Sequence, residues 1–239
     1  MKILILAGGL GTRISEETEN KPKPMVLING VPIIWHLMNI FAYQGYKDFV
    51  IATGYKGDVI NDWVSDQNIF NKKNGWSVKV TDTGMDTQTG GRISICMKEF
   101  PKDTFIATYG DGLANVSINS LLNFHNSYSK LSTVTAVRPP ARFGVLNIKN
   151  GLVNKFAEKN QTDTGWINGG FFVLEPMVKE YIWSELEPFE SGALPRLVAE
   201  NQLAAYQHSG FWKPMDTLRE KIELENMAKL KSIPWLHNI

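Results

Sequence analysis

Short continuous runs of apolar residues alternate with helically spaced apolar residues through the first half of the 239-residue chain. An apolar run between turn signals is typical of a strand that is covered on both faces. Apolar residues at every third or fourth position instead predict the buried face of a helix. These patterns predict, in chain order, strand 2–7, helix 32–44, strand 48–53, helix 58–64, strand 76–80, helix 92–99 and strand 104–108. Strands that alternate with helices favour an α/β fold, with a mostly parallel mixed sheet flanked by helices.

The second half of the chain has a different hydrophobic pattern, in which short runs of alternating apolar and polar residues predict mixed or antiparallel strands. These strands are expected at 131–138, 144–148, 152–157 and 166–174, with helices at 191–200 and 216–230. The hydrophobic pattern changes near residue 115, yet no stretch with the composition of a linker marks a boundary there. We therefore expect a single domain over 1–239, with a first part at 1–115 and a mixed-strand part within 116–239.

Charge balance and cysteine content exclude several classes of function. Twenty-five Lys and Arg residues against 24 Asp and Glu residues give a formal charge of +1. Without a run of like charge, neither a nucleic-acid groove nor a polybasic membrane patch is expected. The single cysteine, Cys96, offers no internal disulfide and no metal cluster, which fits a reducing compartment. The apolar N-terminus is too short for a signal peptide, and no segment approaches the roughly 20 apolar residues of a membrane helix. We expect a cytoplasmic protein with no membrane partner.

A glycine-rich loop, Leu-Ala-Gly-Gly-Leu-Gly-Thr-Arg at residues 6–13, follows the first predicted strand. Glycines directly after a strand let the backbone approach phosphates and direct N–H groups at them. The spacing matches neither a dinucleotide-binding turn nor a P-loop, and a plain tight turn is the alternative. Further on, Lys23 lies between two prolines that stiffen its backbone. A rigid lysine near the arginine that ends the loop suits a transferring phosphoryl group, although a solvated loop is the usual reading of Lys-Pro alone.

Two aspartates are candidate Mg²⁺ ligands. Asp111 is flanked by glycines after the strand predicted at 104–108, on the sheet edge that also carries the glycine loop. Asp216 stands at the start of the helix predicted at 216–230. Mg²⁺ is usually held by one or two carboxylates together with substrate phosphates. The alternatives are a Gly-Asp-Gly turn for Asp111 and a helix N-cap for Asp216.

The Gly-Gly-x-Gly-Thr-Arg loop followed by Pro-Lys-Pro resembles the signature of the sugar-phosphate nucleotidyltransferases. The resemblance covers nearly the whole chain and implies a Rossmann-like sheet of the nucleotide-diphospho-sugar transferase type, with a smaller mixed-strand part that binds the sugar. It implies a nucleoside triphosphate and a sugar 1-phosphate as substrates, and Mg²⁺ as cofactor. Arg13 would steady the leaving pyrophosphate and Lys23 would contact the transferring phosphate, so both are candidate catalytic residues. The implied metal ligands are Asp111 and Asp216.

The same resemblance implies a nucleotide site and a sugar site. The nucleotide site would comprise Leu6, Gly8, Gly9, Gly11, Thr12, Arg13, Lys23, Gly90, Arg92 and Asp111. The nucleobase is expected beside Gly90 and Arg92, with the arginine and backbone groups reading its edge. A glycine-rich helix start with a solvated arginine is the alternative. The sugar site would comprise Gly144, Glu158, Lys159, Asn168 and Gly169.

Several motifs are similar to those of the family members that convert CTP and α-D-glucose 1-phosphate to CDP-glucose and pyrophosphate. They lie at residues 15–18, 109–112, 168–172 and 210–219. The stretch between Val64 and Trp76 is shorter than in that subfamily, where extra residues reach a neighbouring subunit. The sequence therefore leaves the oligomeric state open, and a homo-oligomer is one alternative. A thymidylyl-, uridylyl- or guanylyltransferase for another sugar 1-phosphate is the alternative within the family. A non-catalytic nucleotide-sugar binding protein is the alternative from another class.

Overall fold

The computed structural model describes residues 1–66, 75–139, 145–149, 152–157 and 165–236. The strands within these ranges are β1 (Lys2–Leu6), β2 (Leu27–Ile28), β3 (Val31–Pro32), β4 (Asp48–Thr53), β5 (Ser77–Asp82), β6 (Phe105–Tyr109), β7 (Gly112–Ala114), β8 (Ser132–Val137), β9 (Val145–Lys149), β10 (Leu152–Ala157), β11 (Ile167–Asn168), β12 (Phe172–Leu174), β13 (Leu203–His208) and β14 (Trp212–Pro214). The helices are α1 (Ser15–Thr18), α2 (Ile33–Tyr43), α3 (Gly57–Ser65), α4 (Thr89–Cys96), α5 (Ile118–Tyr128), α6 (Ala193–Ala199) and α7 (Leu218–Ala228). Short 3₁₀ turns lie at Thr12–Ile14, Lys23–Met25, Met97–Glu99, Pro176–Tyr181 and Pro234–Leu236.

The central sheet takes strands from both halves of the chain. In the order β5, β4, β1 and β6, its first four strands run parallel. β12 lies antiparallel between β6 and β8, and β13 extends the sheet in parallel along the opposite edge of β8. The short β11 also pairs with β8 in the antiparallel sense. The expectation of a mostly parallel mixed sheet flanked by helices is confirmed.

Alternate residues of β1 enter two different cores, one on each face of the sheet. Ile3 and Ile5 belong to the core that contains buried residues of α2 and α5. Leu4 and Leu6 belong to the core that contains buried residues of α4 and α6. Successive side chains of a strand point to opposite faces, so a strand that is covered on both faces is apolar at every position. This packing explains the continuous apolar run at the start of the chain.

Two elements differ from their predicted extents for local reasons. The helix predicted at 92–99 begins earlier, at Thr89, and ends at Cys96 before the 3₁₀ turn. The strand predicted at 166–174 is interrupted, because Gly170 and Phe171 take left-handed φ values of 76° and 48°. A strand cannot continue through that conformation, and the chain therefore forms β11 and β12 instead.

The hydrophobic pattern does not predict α5 or β13. The sequence of α5 is rich in Asn and Ser, which compete with the helix backbone for hydrogen bonds and weaken the signal. The helix is nevertheless capped by Ser117, whose Oγ accepts a hydrogen bond from Ser120 N at 3.3 Å. In β13 the side chains of Ala204 and Ala205 are too small to mark an alternating strand. Within the described ranges, no helix is long and apolar enough to cross a membrane.

Candidate active site

A cavity of about 560 Å³ lies at the carboxyl ends of β1 and β6. Its walls are residues 6–13, Lys23 and Pro24, residues 85–89, Arg92 and residues 109–111. Ligands of parallel α/β sheets bind at this edge. The structure thus brings every residue of the predicted nucleotide site except Gly90 to the wall of one cavity.

The glycine loop leaves backbone donors available to a ligand. Gly11 has a left-handed φ of 65°, and a Cβ there would lie only 3.0 Å from Thr18 and 3.1 Å from Lys23. A Cβ at Gly9 would meet no atom within 4 Å, so the outer side of the loop is open. The N–H groups of residues 8–11 donate to no backbone carbonyl of the described residues. Unpaired N–H groups in a turn form a concavity suited to anions.

Lys23 lies between the two candidate metal carboxylates. Its Nζ is 2.5 Å from Asp111 Oδ2 and 2.6 Å from Asp216 Oδ1. The other oxygen of Asp216 accepts a hydrogen bond from Arg13 at 2.8 Å. Burial disfavours the ammonium form of Lys23, but the adjacent Asp111 and Asp216 outweigh it and raise the pKa of Lys23 above its usual value. Lys23 is therefore a positively charged group at neutral pH.

Two short strands bring the aspartates together from distant parts of the chain. β7 follows Asp111, β14 precedes Asp216, and the two strands pair antiparallel. Met215 N donates to the Asp111 carbonyl at 2.9 Å, which fixes the register at the carboxylates. Thr217 rather than Asp216 is the N-cap of α7, in a capping box with Glu220. The N-cap alternative for Asp216 is therefore wrong, and its side chain is directed to Lys23 and Arg13.

The donor set fits a cation that is shared with a substrate. Asp111 and Asp216 both contact the Nζ of Lys23, so their oxygens lie no further apart than the sum of those two distances. Among the described residues, no group of three His, Cys, Asp or Glu side chains could enclose a metal. Two carboxylates without a complete cage match Mg²⁺, which takes its remaining ligands from phosphates and water.

Arg92 has a different environment from the one expected of a base-reading residue. Its side chain is buried, and its NH1 group donates to Thr53 O at 2.8 Å and to Gly84 O at 2.9 Å. NH1 also contacts Thr83 Oγ1 at 2.5 Å, and NH2 donates to Gly8 O at 3.0 Å. The guanidinium thus joins the last residue of β4 to the chain segments that follow β1 and β5. This geometry does not favour the prediction that Arg92 reads the base edge, because NH1 and NH2 already serve the protein.

Gly90 serves helix packing. Its N–H donates to Glu187 O at 3.2 Å, and a Cβ at Gly90 would lie 2.8 Å from that same oxygen. The wall of the cavity beside α4 is instead formed by residues 85–89 and by Arg92. A nucleobase at that end would therefore meet the turn before the helix.

Replacing Arg92 with lysine should lower the free energy of unfolding by about 3 kcal/mol, because one ammonium cannot serve carbonyls on three chain segments and unpaired buried carbonyls are costly. Urea unfolding of the ligand-free protein measures the change. Arg219→Lys is the matched control, since the Arg219 side chain is 88% exposed and pairs only with Glu223 among described residues, and it should change stability by less than about 0.5 kcal/mol. Equal stability of Arg92→Lys and wild type would contradict the structural role.

A second cavity, of about 360 Å³, adjoins the first. Its walls are Arg13, Thr108, Tyr109, Asp111, Gly112, Asn168, Gly169, Phe171, Glu190, Trp212, Pro214 and Asp216. Arg13, Tyr109 and Asp111 line both cavities. The charged cluster therefore stands at the junction of two spaces, and Asn168 and Gly169 of the predicted sugar site lie in the second.

The wall of the second cavity is held by polar contacts. Asn168 Nδ2 donates to Tyr109 Oη at 3.0 Å, and Asn168 Oδ1 accepts from Gly170 N at 2.8 Å. Trp212 Nε1 donates to Gly169 O at 2.9 Å. A Cβ at Gly169 would lie 2.6 Å from Val137 Cγ1, so glycine is required there. These contacts fix the backbone beside the cavity.

Sequence reasoning does not identify Tyr109, Trp212 or Glu190 as site residues. Tyr109 and Trp212 belong to the motifs at 109–112 and 210–219, which also contain Asp111 and Asp216. Their proximity to these aspartates in the sequence could therefore have identified them as site residues. Glu190 has no such local signal, because its place in the wall depends on how residues 185–189 pack on α4. Three residues of the predicted sugar site, Gly144, Glu158 and Lys159, lie outside the described residues.

The family model, the sequence relatives and the solved structures that match this chain all point to one family. The chain matches the model of the nucleotidyl transferase family over residues 2–225. It is 44% identical to the glucose-1-phosphate cytidylyltransferase of Salmonella typhimurium, over 98% of each chain. It is 27% identical to the mannose-1-phosphate guanylyltransferase catalytic subunit beta of Xenopus tropicalis, over 99% of this chain and 68% of that protein. HddC from Yersinia pseudotuberculosis, solved with GMP-PN, is 26% identical and matches with a TM-score of 0.74 over 95% of this chain and 99% of the other.

The family model, the near full-length relatives and the shared fold agree with the resemblance seen in the glycine loop and in Pro-Lys-Pro, which is thereby confirmed. The relatives include a cytidylyltransferase and a guanylyltransferase, so the fold itself does not specify the base. This chain belongs to the nucleotidyl transferase family.

Proposed function

We propose that this protein converts CTP and α-D-glucose 1-phosphate to CDP-glucose and pyrophosphate. The observation that carries the proposal is the meeting of two cavities at one charged cluster, with Arg13 and Asp111 in the walls of both. Two phosphate-bearing substrates must bring their reacting groups to one place where negative charge is neutralised. The 44% identity to a glucose-1-phosphate cytidylyltransferase supports this pair of substrates.

The larger cavity is assigned to the nucleotide. Its glycine loop presents N–H groups of residues 8–11 that donate to no backbone carbonyl of the described residues, and these can donate to the triphosphate. Arg13 follows the loop and steadies the departing pyrophosphate. The base is then assigned to the part of the wall that residues 85–89 form.

The smaller cavity is assigned to the sugar. Asn168 and the backbone at Gly169 offer hydrogen-bonding groups on its wall, and sugar hydroxyls both donate and accept. By the family resemblance, Gly144, Glu158 and Lys159 complete this site, with Lys159 on the sugar phosphate. A phosphate at the mouth of this cavity would lie beside Arg13, where both substrates share a cation.

The chemistry is positioning and charge neutralisation. A sugar 1-phosphate is already anionic at neutral pH, so its oxygen attacks the α-phosphorus of CTP without a general base. The new phosphorus–oxygen bond forms as the bond to the β-phosphate oxygen breaks in line with it, and pyrophosphate leaves with the electron pair. Lys23 contacts the transferring phosphate and Arg13 the leaving group, so both stabilise charge that grows during the step. Mg²⁺ held by Asp111 and Asp216, when bound, supplies further positive charge to the phosphate oxygens.

The test is pyrophosphate release from glucose 1-phosphate with CTP, UTP, dTTP, GTP or ATP, each with Mg²⁺ and with an EDTA control. We expect release with CTP that stops when EDTA is added. Release with a different triphosphate would keep the reaction type and overturn the choice of base. No release with any triphosphate, and none with other sugar 1-phosphates, would overturn catalysis and favour a binding protein.

A further inference from the structure

Glu190 places a third carboxylate in the wall of the smaller cavity, which Asp111 and Asp216 also line. Its Oε1 accepts a hydrogen bond from Tyr109 Oη at 2.5 Å, and its Oε2 accepts one from Thr89 Oγ1 at 2.6 Å. Both partners are neutral hydroxyl groups. Among the described residues, Glu190 forms no ion pair, whereas Asp111 and Asp216 each contact a cation.

A chain of hydrogen bonds holds this carboxylate in place. Asn168 Nδ2 donates to Tyr109 Oη, which donates in turn to Glu190. On the other side, Phe189 N donates to Thr89 Oγ1, which donates to Glu190. Every group in the chain thus donates towards the carboxylate, which is held in one orientation.

A carboxylate at this position disfavours the binding of anionic substrates unless it contributes to recognition of the sugar. Anionic substrates must enter the same cavity, and a carboxylate that forms no ion pair with the described residues repels them. A carboxylate has about four acceptor positions. Among the described residues, only Tyr109 and Thr89 donate to Glu190, with one side-chain hydrogen bond each. The remaining positions suit sugar hydroxyls, which are donors. A hydrogen bond from a neutral hydroxyl to an oriented carboxylate is about twice as strong as one between neutral groups.

We propose that Glu190 determines sugar specificity, because it binds the hydroxyls of a neutral sugar 1-phosphate and repels a sugar 1-phosphate that carries a second anionic group. This inference rests on the proposed function, since it places the sugar in the smaller cavity. At a volume of about 360 Å³, the cavity is no wider than the Debye length of about 10 Å at 0.1 M salt. The repulsion therefore acts on a second anion at any carbon of the bound sugar.

The experiment measures glucuronic acid 1-phosphate as a competitor of glucose 1-phosphate during pyrophosphate release with CTP. The readout is the inhibition constant of the acidic sugar divided by the KM of glucose 1-phosphate. In Glu190→Gln this ratio should fall at least about tenfold, because the repulsion is gone while a hydrogen-bonding side chain of the same size remains. Glu190→Asp keeps the charge and should keep a ratio close to that of wild type.

Tyr109→Phe is the matched control for orientation. It removes one hydroxyl that holds the carboxylate and leaves the charge, so the KM of glucose 1-phosphate should rise while the acidic sugar stays excluded. A second measurement needs no variant, since salt raised to about 1 M shortens the Debye length to about 3 Å and should lower the wild-type ratio through screening. The same salt should hardly change the ratio in Glu190→Gln.

The outcomes separate this inference from the proposed function. An active Glu190→Gln with the wild-type ratio, or a wild-type ratio that is independent of salt, would overturn the role of Glu190 and leave the reaction intact. A wild-type protein that releases pyrophosphate with no triphosphate and no sugar 1-phosphate would overturn both.

Discussion

Replacing Lys23 with methionine should lower kcat for CDP-glucose formation about a thousandfold, the usual cost of one missing charge-stabilising donor. Lys23 is buried, and its Nζ lies at the carboxylates where the transferring phosphate is assigned. Methionine keeps an unbranched apolar stem of similar length and removes the charged hydrogen-bond donor. Single-turnover release of pyrophosphate measures the chemical step directly.

The same substitution should strengthen the binding of a divalent metal to the ligand-free protein. Without the ammonium group, Asp111 and Asp216 face each other. Of the two described cations at the cluster only Arg13 remains, and it contacts Asp216. A divalent cation then relieves the repulsion, so we expect the affinity for Mn²⁺ to rise at least about tenfold. Titration with Mn²⁺, followed by electron paramagnetic resonance without nucleotide, gives this affinity. A collapsed site would lose both activity and metal binding. The geometry instead requires that activity falls while the affinity for Mn²⁺ rises.

Lys21→Met provides the control for Lys23. Lys21 lies in the same loop, but its Nζ is 3.7 Å from Glu17 and contacts neither aspartate. We expect nearly wild-type turnover and Mn²⁺ affinity from this variant. A Lys23→Met protein with turnover near the wild-type rate would remove Lys23 from the chemistry.

The glycine loop and the parallel strands could be predicted because their signals are local. β1 is apolar from Ile3 to Leu6 because the sheet is covered on both faces, and the loop follows directly at the strand end where ligands bind. Lys23, in turn, is fixed by adjacent prolines that are visible in the sequence. In these segments, residues that are close in the sequence determine both the local structure and the candidate site.

The contact between Lys23 and its two aspartates could not be predicted in this way. It depends on the pairing of β7 with β14, two strands of three residues each that lack a strand pattern. The same holds for Glu190, which reaches the cavity only because Gly90 and Gly91 let residues 185–187 pack closely on α4. Arg92 has the residue type and position of a ligand-binding group, yet its hydrogen bonds go to backbone carbonyls that only the folded chain brings together.

Replacing either Asp111 or Asp216 with asparagine should lower kcat/KM about a thousandfold at a low, fixed Mg²⁺ concentration. Asparagine keeps the shape of the side chain but removes the charge that attracts a hard cation. Both carboxylates contact the same ammonium group, so they form one unit. The double variant should therefore be little worse than either single variant, because residues that act as a unit are not additive. Pyrophosphate release over a range of Mg²⁺ concentrations measures both effects.

Asp86→Asn separates loss of the metal site from a general change of charge in the larger cavity. Asp86 lines that cavity, but among the described residues it forms no ion pair with Lys23 or Arg13. We expect its Mg²⁺ dependence to match that of wild type, while the Asp111 and Asp216 variants need much higher Mg²⁺ to approach saturation. An unchanged Mg²⁺ dependence in both aspartate variants would show that the metal is held elsewhere. Independent effects that multiply in the double variant would show that the two carboxylates do not share one cation, since a shared cation is lost only once.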